Sequence, residues 1–460
     1  MVRVSLRRER LWTRQTWPFI TSVLALMTCN AFESFAVTTI LPVAVTDLGS
    51  TSWYSFAYSA TITTALIGMV VGGNWSDQSG PRTPLIVGGT AFLAGLLLNI
   101  IAIDVTTFIV GRIMQGLGGG INSVVLYVLI SRHIPERSRP RMFGLLTTAW
   151  LFPSLAGPLA AGALAELTSW RTVFGIVGVG AAASLLCLLH STRTSQSELV
   201  ASNQPIQRPA RRGIGRNGTL AVLAAGLLAV LHLAGQMKTP ISVIVVIGAS
   251  VTLMIAARSI LPKGTLTLRG TPQRLIVLRA TLGATVTSAD LYLTLYLQSE
   301  RVYSPTAAGL VIAIGAGGWA LGALVQGRFP SNQFSNHRLI LIATVLVCAG
   351  PATILIYTIT DVQLWVVVIA CVLMGTGMGM AYPRVSSATL ALTDAEEQGA
   401  YSSALQAGES MGIGVVTAVI ATILASGGSF ATTYVLLLGL AVAASVVASI
   451  SVNGGTAGSS

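Results

Sequence analysis

Residues 17–42 read WPFITSVLALMTCNAFESFAVTTILP and contain a single charged side chain, Glu33. Lipid offers backbone N–H and C=O groups no partners, so a crossing helix needs about 20 mostly apolar residues. The stretch is long enough to span, and its acid then lies far from bulk water. No small-residue cleavage site follows, so it does not read as a cleaved signal peptide.

The same reading repeats along the chain. Fourteen apolar runs are expected, at about 17–45, 54–73, 84–104, 106–131, 141–165, 171–190, 219–236, 240–257, 275–298, 305–327, 338–358, 362–382, 400–425 and 431–452. The seventh and eighth are the shortest, and His232 lies in the seventh, where a satisfied helix residue suffices. Dropping both leaves the two termini on one side. Of 460 residues 53% are hydrophobic and 9% charged, which excludes an ordinary soluble protein. The fold class expected is an all-α polytopic membrane protein.

The formal charge of +12 is mainly a statement about topology. Lysine and arginine accumulate on the cytoplasmic side of membrane proteins. One face collects the amino-terminal arginines, Arg132 to Arg141, the arginines of 193–216 and those at further loops and span ends, among them Arg82, Arg258, Arg274, Arg279, Arg338 and Arg384. The other face has Arg171, Lys238 and Arg301, and Arg112 lies within a span. Both termini are therefore expected in the cytoplasm, with attraction to anionic lipid and no nucleic acid partner. Cys29, Cys187, Cys348 and Cys371 all fall in apolar runs and imply no disulfide framework.

A polar stretch at about 192–217 separates six runs from eight and reads as a linker. Gly73–Val87 aligns with Gly327–Leu341 at an offset of 254, and Met114–Gly120 with Leu373–Gly379 at 259. Spans 1–6 then correspond to spans 9–14. This predicts a six-helix unit at 1–191, a linker with an inserted transmembrane hairpin at 192–274, and a second six-helix unit at 275–460. In this register Glu33 corresponds to Asp290, 257 residues on. Two carboxylates at similar depth suggest a shared central cavity.

Four local patterns carry a family resemblance. Gly73-Asn74-Trp75-Ser76-Asp77-Gln78-Ser79-Gly80-Pro81-Arg82 resembles the cytoplasmic signature of the major facilitator superfamily. Here Gly73 would permit close helix approach, Gly80 a tight turn, and Asp77 would face a helix N-terminus or Arg82. Trp75, Gln78 and Pro81 depart from the usual pattern. Arg112 with Gln115, Gly116, Gly118 and Gly120 is similar to the superfamily's arginine motif, which implies a part in proton transfer; a structural arginine bonding carbonyls of the first helix is the alternative. Gly144, Pro153, Gly157, Pro158 and Gly162 resemble the antiporter motif, with Pro153 replacing a glycine; a generic small-residue packing face is the alternative. Glu33 before Leu41-Pro42 is similar to the first-span motif of the fourteen-span drug:proton antiporters, with glutamate replacing aspartate.

The resemblance implies a major facilitator fold and a proton-coupled exporter of lipophilic, often cationic drugs or toxic compounds. Its expected location is the bacterial inner membrane. Proton coupling is expected at Glu33, Asp290, Arg112 and Glu409, although a structural Glu409 would look the same in sequence. The substrate cavity is expected to include Phe35, Tyr292, Tyr296, Trp150 and Gln406, drawn from a wider set with Tyr58, Tyr127, Phe152 and Trp319. No phosphate loop, metal-ligand cluster or nucleophile–base set appears, so neither an enzyme nor a cofactor is expected, only a proton gradient. The partners expected are a small-molecule substrate, protons and the bilayer, with the chain a monomer. A dedicated exporter of one metabolite, lipid precursor or siderophore, and a membrane sensor or scaffold without transport, remain as alternatives.

Overall fold

A computed structural model describes residues 13, 16–134, 138–199, 215–234, 240–329, 333–360, 362–394 and 397–453. Among them the chain forms fourteen α-helices and no strand: α1 (Trp17–Asp47), α2 (Tyr54–Ser79), α3 (Arg82–Ile101), α4 (Val105–His133), α5 (Arg139–Leu167), α6 (Trp170–Leu199), α7 (Gly215–Ala234), α8 (Pro240–Ile260), α9 (Thr271–Ser299), α10 (Pro305–Gly327), α11 (Gln333–Ile359), α12 (Leu364–Ala391), α13 (Gln398–Ala425) and α14 (Phe430–Asn453). Eleven are long and apolar enough to cross a membrane. The exceptions are α7 and α8, whose apolar segments Val222–Leu231 and Ile244–Ile260 are shorter, and α9, which carries Arg274, Arg279 and Asp290.

Helices outrun their apolar stretches wherever polar residues can continue the i to i−4 ladder into the interface. Thus α2 reaches Ser79, α6 Leu199 and α12 Ala391. One consequence corrects the reading of 73–82 as a connection between spans. Gly73 to Ser79 complete α2, and the turn is confined to Gly80, at φ +78°, and Pro81 before α3 starts at Arg82. Arg139, Arg141, Arg258, Arg274, Arg279, Arg338 and Arg384 likewise fall inside helices. Asp104 accepts from the Thr107 backbone N–H at 2.8 Å, which caps α4 and holds the carboxyl below the usual carboxylate range.

Packing repeats after eight helices. α1 packs on α5 and α6, α2 on α4, and α3 on α4 and α6; correspondingly α9 packs on α13 and α14, α10 on α12, and α11 on α12 and α14. The two sets meet where α5 crosses α10 and α2 crosses α13. α7 and α8 pack on each other and on α13, and α7 also touches α2.

Glycines explain the tightest contacts. A methyl on Gly116 would lie 2.3 Å from the Thr61 carbonyl, and one on Gly120 2.1 Å from that of Ala65. In the later set, Gly375 meets the Gly315 carbonyl at 2.1 Å and Gly379 that of Trp319 at 2.0 Å. Gly116 and Gly375 are 259 residues apart, and Thr61 and Gly315 are 254 apart, the two offsets found in the sequence. Any side chain there would force the helices apart. Gly73 does not share this role: its Cβ would make an ordinary 3.6 Å contact with Val124. The close approach belongs to Gly68 and Gly72, which face the α4 backbone at 2.3 and 2.9 Å.

In α5, Pro153 and Pro158 are both accommodated within one continuous helix, whose second turn holds Gly144. Gly157 faces Phe32 and Phe35 of α1, and a Cβ there would lie 3.5 Å from that of Phe35. A methyl on Gly162 would lie 2.5 Å from the Pro305 carbonyl, and one on Gly309 of α10 2.3 Å from that of Pro158. Together these two contacts draw α5 and α10 into close register.

Candidate functional site

Each set of helices buries an acid, and the two have different surroundings. Glu33, midway along α1, is 3% exposed and ion-paired with Arg112 of α4, itself 2% exposed. Arg112 also donates to the Ala57 carbonyl of α2, from Nε at 3.2 Å, and to Gln115 Oε1, from Nη1 at 3.2 Å. Gln115 also accepts from Asn99 Nδ2 of α3. Three neighbouring helices are thereby connected to the charge of α1. Sequence reasoning identified Arg112 and Glu33 separately; the fold makes them direct partners.

Asp290, about two thirds of the way along α9, is half-buried. Among the described residues its carboxylate has neither a cation nor a hydrogen-bond donor. The backbone on either side is pinned by phenols: Tyr434 donates to the Ala289 carbonyl at 3.0 Å and Tyr54 to that of Leu291 at 2.7 Å. Cys371 of α12, 1% exposed, lies within Coulombic range of the carboxylate. It stands 259 residues after Arg112, so the second set has a thiol at the repeat position where the first has the guanidinium that pairs with Glu33. Tyr58 of α2, buried, feels the charges of Asp290, Arg112 and Glu33 alike.

Glu409 of α13 also has a cation. Arg279 Nε donates to Glu409 Oε2 at 3.1 Å, and its Nη1 to Ser386 Oγ of α12. The guanidinium lies 4.1 Å above the Tyr382 ring. The charge expectation assigned Arg279 to a span end; it lies instead two turns inside α9, as an ion-pair partner.

The residues expected to line a substrate cavity separate into two places. Phe35 and Trp150 meet edge to face at 6.2 Å, with Trp150 exposed, and Gln406 is exposed on α13. Tyr292 and Tyr296 lie elsewhere. Tyr292 donates to the Thr417 carbonyl at 2.9 Å, and Tyr296 packs against Tyr357 and Phe430 at 5.9 and 5.0 Å. Both border a cavity of about 1240 Å³ at the face away from the arginine-rich ends, where α1, α9 and α13 finish and α2, α10 and α14 begin. At that face Ser55 donates to the Thr417 carbonyl at 3.0 Å, Gln298 to the Thr39 carbonyl at 2.8 Å, and Thr306 to Glu166. With Tyr54, these bonds tie α1, α2 and α5 to α9, α10 and α13.

Of the turn motif, Gly80 and Arg82 lie at the α2–α3 junction, and Asp77 falls in the last turn of α2. The side chain of His232 is outside the described residues. The four cysteines are free thiols. Sequence reasoning missed Tyr54, Tyr434, Arg279, Tyr382 and Ser386 as members of these clusters. Cys371 was accessible to it, since the 259 offset applied to Arg112 leads there.

Apolar helices of spanning length around buried, partly paired charges define a polytopic membrane protein of the transporter type. The sequence pattern of the Major Facilitator Superfamily matches residues 23–417 and, separately, 275–453, and the chain belongs to that family. It is 23% identical over 447 residues to a Mycobacterium tuberculosis protein named "Probable multidrug-efflux transporter", covering 90% of this chain and 89% of that one. It is 24% identical over 422 residues to the methylenomycin A resistance protein of Bacillus subtilis, covering 88% and 87%. A shorter match, 31% identical over 172 residues to the MFS transporter L2 of a Phoma species, spans 36% of this chain and 29% of that protein. Among solved structures, a POT family transporter in complex with 5-aminolevulinic acid superposes with a TM-score of 0.70 at 12% identity, covering 95% and 96%. That likeness concerns the fold.

Proposed function

We propose that this chain is a proton-coupled antiporter that exports lipophilic, often cationic compounds across a bacterial inner membrane by alternating access. In this reading all fourteen helices span and the arginine-rich face with both termini is cytoplasmic. Residues 1–191 and 275–460 form the two pseudo-symmetric six-helix bundles, and 192–274 supply a linker and an inserted hairpin. The chain works as a monomer with no cofactor beyond the proton gradient.

The observation that carries the reading is Asp290: half-buried, flanked by backbone carbonyls that the Tyr434 and Tyr54 phenols bond, and without a cation among the described residues. A carboxylate at membrane depth costs about 2.5–3.5 kcal/mol even on lenient scales, so an unpaired one must take a proton or a cationic ligand. Mutual exclusion of the two at one carboxylate is the elementary requirement of antiport. Glu33 differs in being neutralised by Arg112, and it joins the cycle when helix rocking separates that pair. The relatives named for multidrug efflux and methylenomycin resistance support an exporter of toxic compounds.

The test is transport by the purified chain in liposomes under an imposed pH gradient, with a panel of dyes, antibiotics and metabolites. Export of several unrelated cations, lost in Asp290→Asn, is expected. Flux of one compound alone would indicate a dedicated metabolite exporter, and gradient-independent flux in both proteins would refute proton coupling.

A further inference from the structure

The Arg279 cluster is composed like a binding site that already holds a ligand. The guanidinium lies above the Tyr382 ring at 4.1 Å, bonds Glu409 at 3.1 Å and reaches Ser386. Trp319 of α10 stands beside Tyr382, ring centroids 5.4 Å apart, and is 36% exposed. One turn above Arg279, Gly283 leaves a notch: a methyl there would lie 2.8 Å from Glu409 Cγ. A carboxylate, a hydroxyl and a π face around a planar delocalised cation form a complete recognition set for that group.

Depth and access distinguish it from a sealed structural pair. Arg279 is eight residues into α9 and Glu409 eleven into α13, while Tyr382 and Trp319 are nine and eight residues from the ends of α12 and α10. All four therefore lie about 12–17 Å from the arginine-rich ends of their helices. The Arg279 and Glu409 side chains retain 14% and 18% exposure. Acyl chains would be a costly medium for an ion pair at that depth, which favours a water-lined path within the protein as what this exposed surface meets. Two of the cluster's helices, α10 and α13, are those that meet α5 and α2 of the first helix set. Asp290 is eleven residues further along α9, deeper from the same face.

We propose that Glu409, Ser386, Tyr382 and Trp319 form an entrance subsite for organic cations bearing a guanidinium or amidinium group, and that Arg279 is a tethered placeholder which such a cation displaces. The proposal rests on the reading of the chain as an exporter of cations and adds to it a location and a preferred head group. The displaced Arg279 remains available to move towards the seam, and the ligand passes from Glu409 towards Asp290.

The experiment measures equilibrium binding of pentamidine, a bisamidine, and of tetraphenylphosphonium, a cation without N–H donors, to the full chain in nanodiscs. Removing an internal competitor worth about 1.4 kcal/mol of stacking and pairing should raise pentamidine affinity about tenfold in Arg279→Ala. Glu409→Gln should lower it by a similar factor, and tetraphenylphosphonium affinity should change less than about threefold in either, since it gains no hydrogen bond. Unchanged or weaker pentamidine binding in Arg279→Ala would overturn the proposal. If that variant does not survive purification, Arg279→Lys serves, because a compact ammonium stacks and bridges less well; it should also bind pentamidine more tightly, and failure to do so counts equally against the subsite. Wild-type export of cations without any gain in the Arg279 variants refutes the subsite and leaves the transport reading standing. A gain in binding by a chain that transports no cation does the reverse.

Discussion

Glu33 and Asp290 occupy corresponding places in two helix sets built to the same steric plan, yet one is locked to an arginine and the other has a cysteine within Coulombic range. The glycines that bring α4 onto α2 recur in α12 against α10 at unchanged offsets, so the packing of the two sets is shared. What differs are the polar side chains around the acid: Arg112 and Gln115 in the first set stand where the second has Cys371 and Met374. A repeated scaffold can therefore hold one acid against a guanidinium and its counterpart without a cation among the described residues.

The most disruptive way to break this contrast is Arg112→Cys, which gives α4 the residue found in α12. Glu33 would then be buried without its cation, and removing one partner of a buried pair costs about 3–5 kcal/mol. Thermal unfolding in detergent should show a large loss, and adding Glu33→Gln should restore most of it. If the single variant is as stable as wild type, the pair does not stabilise the fold. The common packing is probed by Gly116→Ala and Gly375→Ala, each expected to cost about 1–3 kcal/mol by overpacking against a backbone carbonyl. Similar losses would sharpen the correspondence, and tolerance of one alone would break it.

Tyr58 tests whether the two acids communicate. Tyr58→Phe removes a hydroxyl that feels both acids, and losing that one polar group should slow gradient-driven export by about two- to tenfold while leaving unfolding nearly unchanged. An unaltered rate would mean that the acids act independently. The smallest effect belongs to Gly73→Ala, expected within about 0.5 kcal/mol of wild type because its neighbour is at ordinary contact distance, whereas Gly72→Ala should cost more.

Much of the fold was legible because lipid imposes a minimum length on every apolar run, and the helices coincide with those runs to within a few residues over most of their lengths. The ends at Ser79, Leu199 and Ala391 were not, since a helix that has crossed the apolar core continues through polar residues under no constraint that hydropathy detects. The same limit hid Arg279, which looked like a boundary charge until α9 proved to start at Thr271. Motif spacing identified which side chains matter in α1 and α4 but not that Glu33 and Arg112, 79 positions apart, touch. It also assigned the close contact to Gly73 rather than Gly72, because one residue is about 100° of helix rotation and a lone sequence does not fix which glycine faces the partner.

The bonds at the face opposite the arginine-rich ends are nearly all accepted by main-chain oxygens, those of Leu291, Thr417 and Thr39. Each is worth about 0.5–1.5 kcal/mol, so the latch as a whole amounts to a few kcal/mol. That is the scale on which one bound molecule tips a two-state balance. In the proposed cycle such a seam is firm enough to hold between passages and weak enough for a single passenger to unfasten.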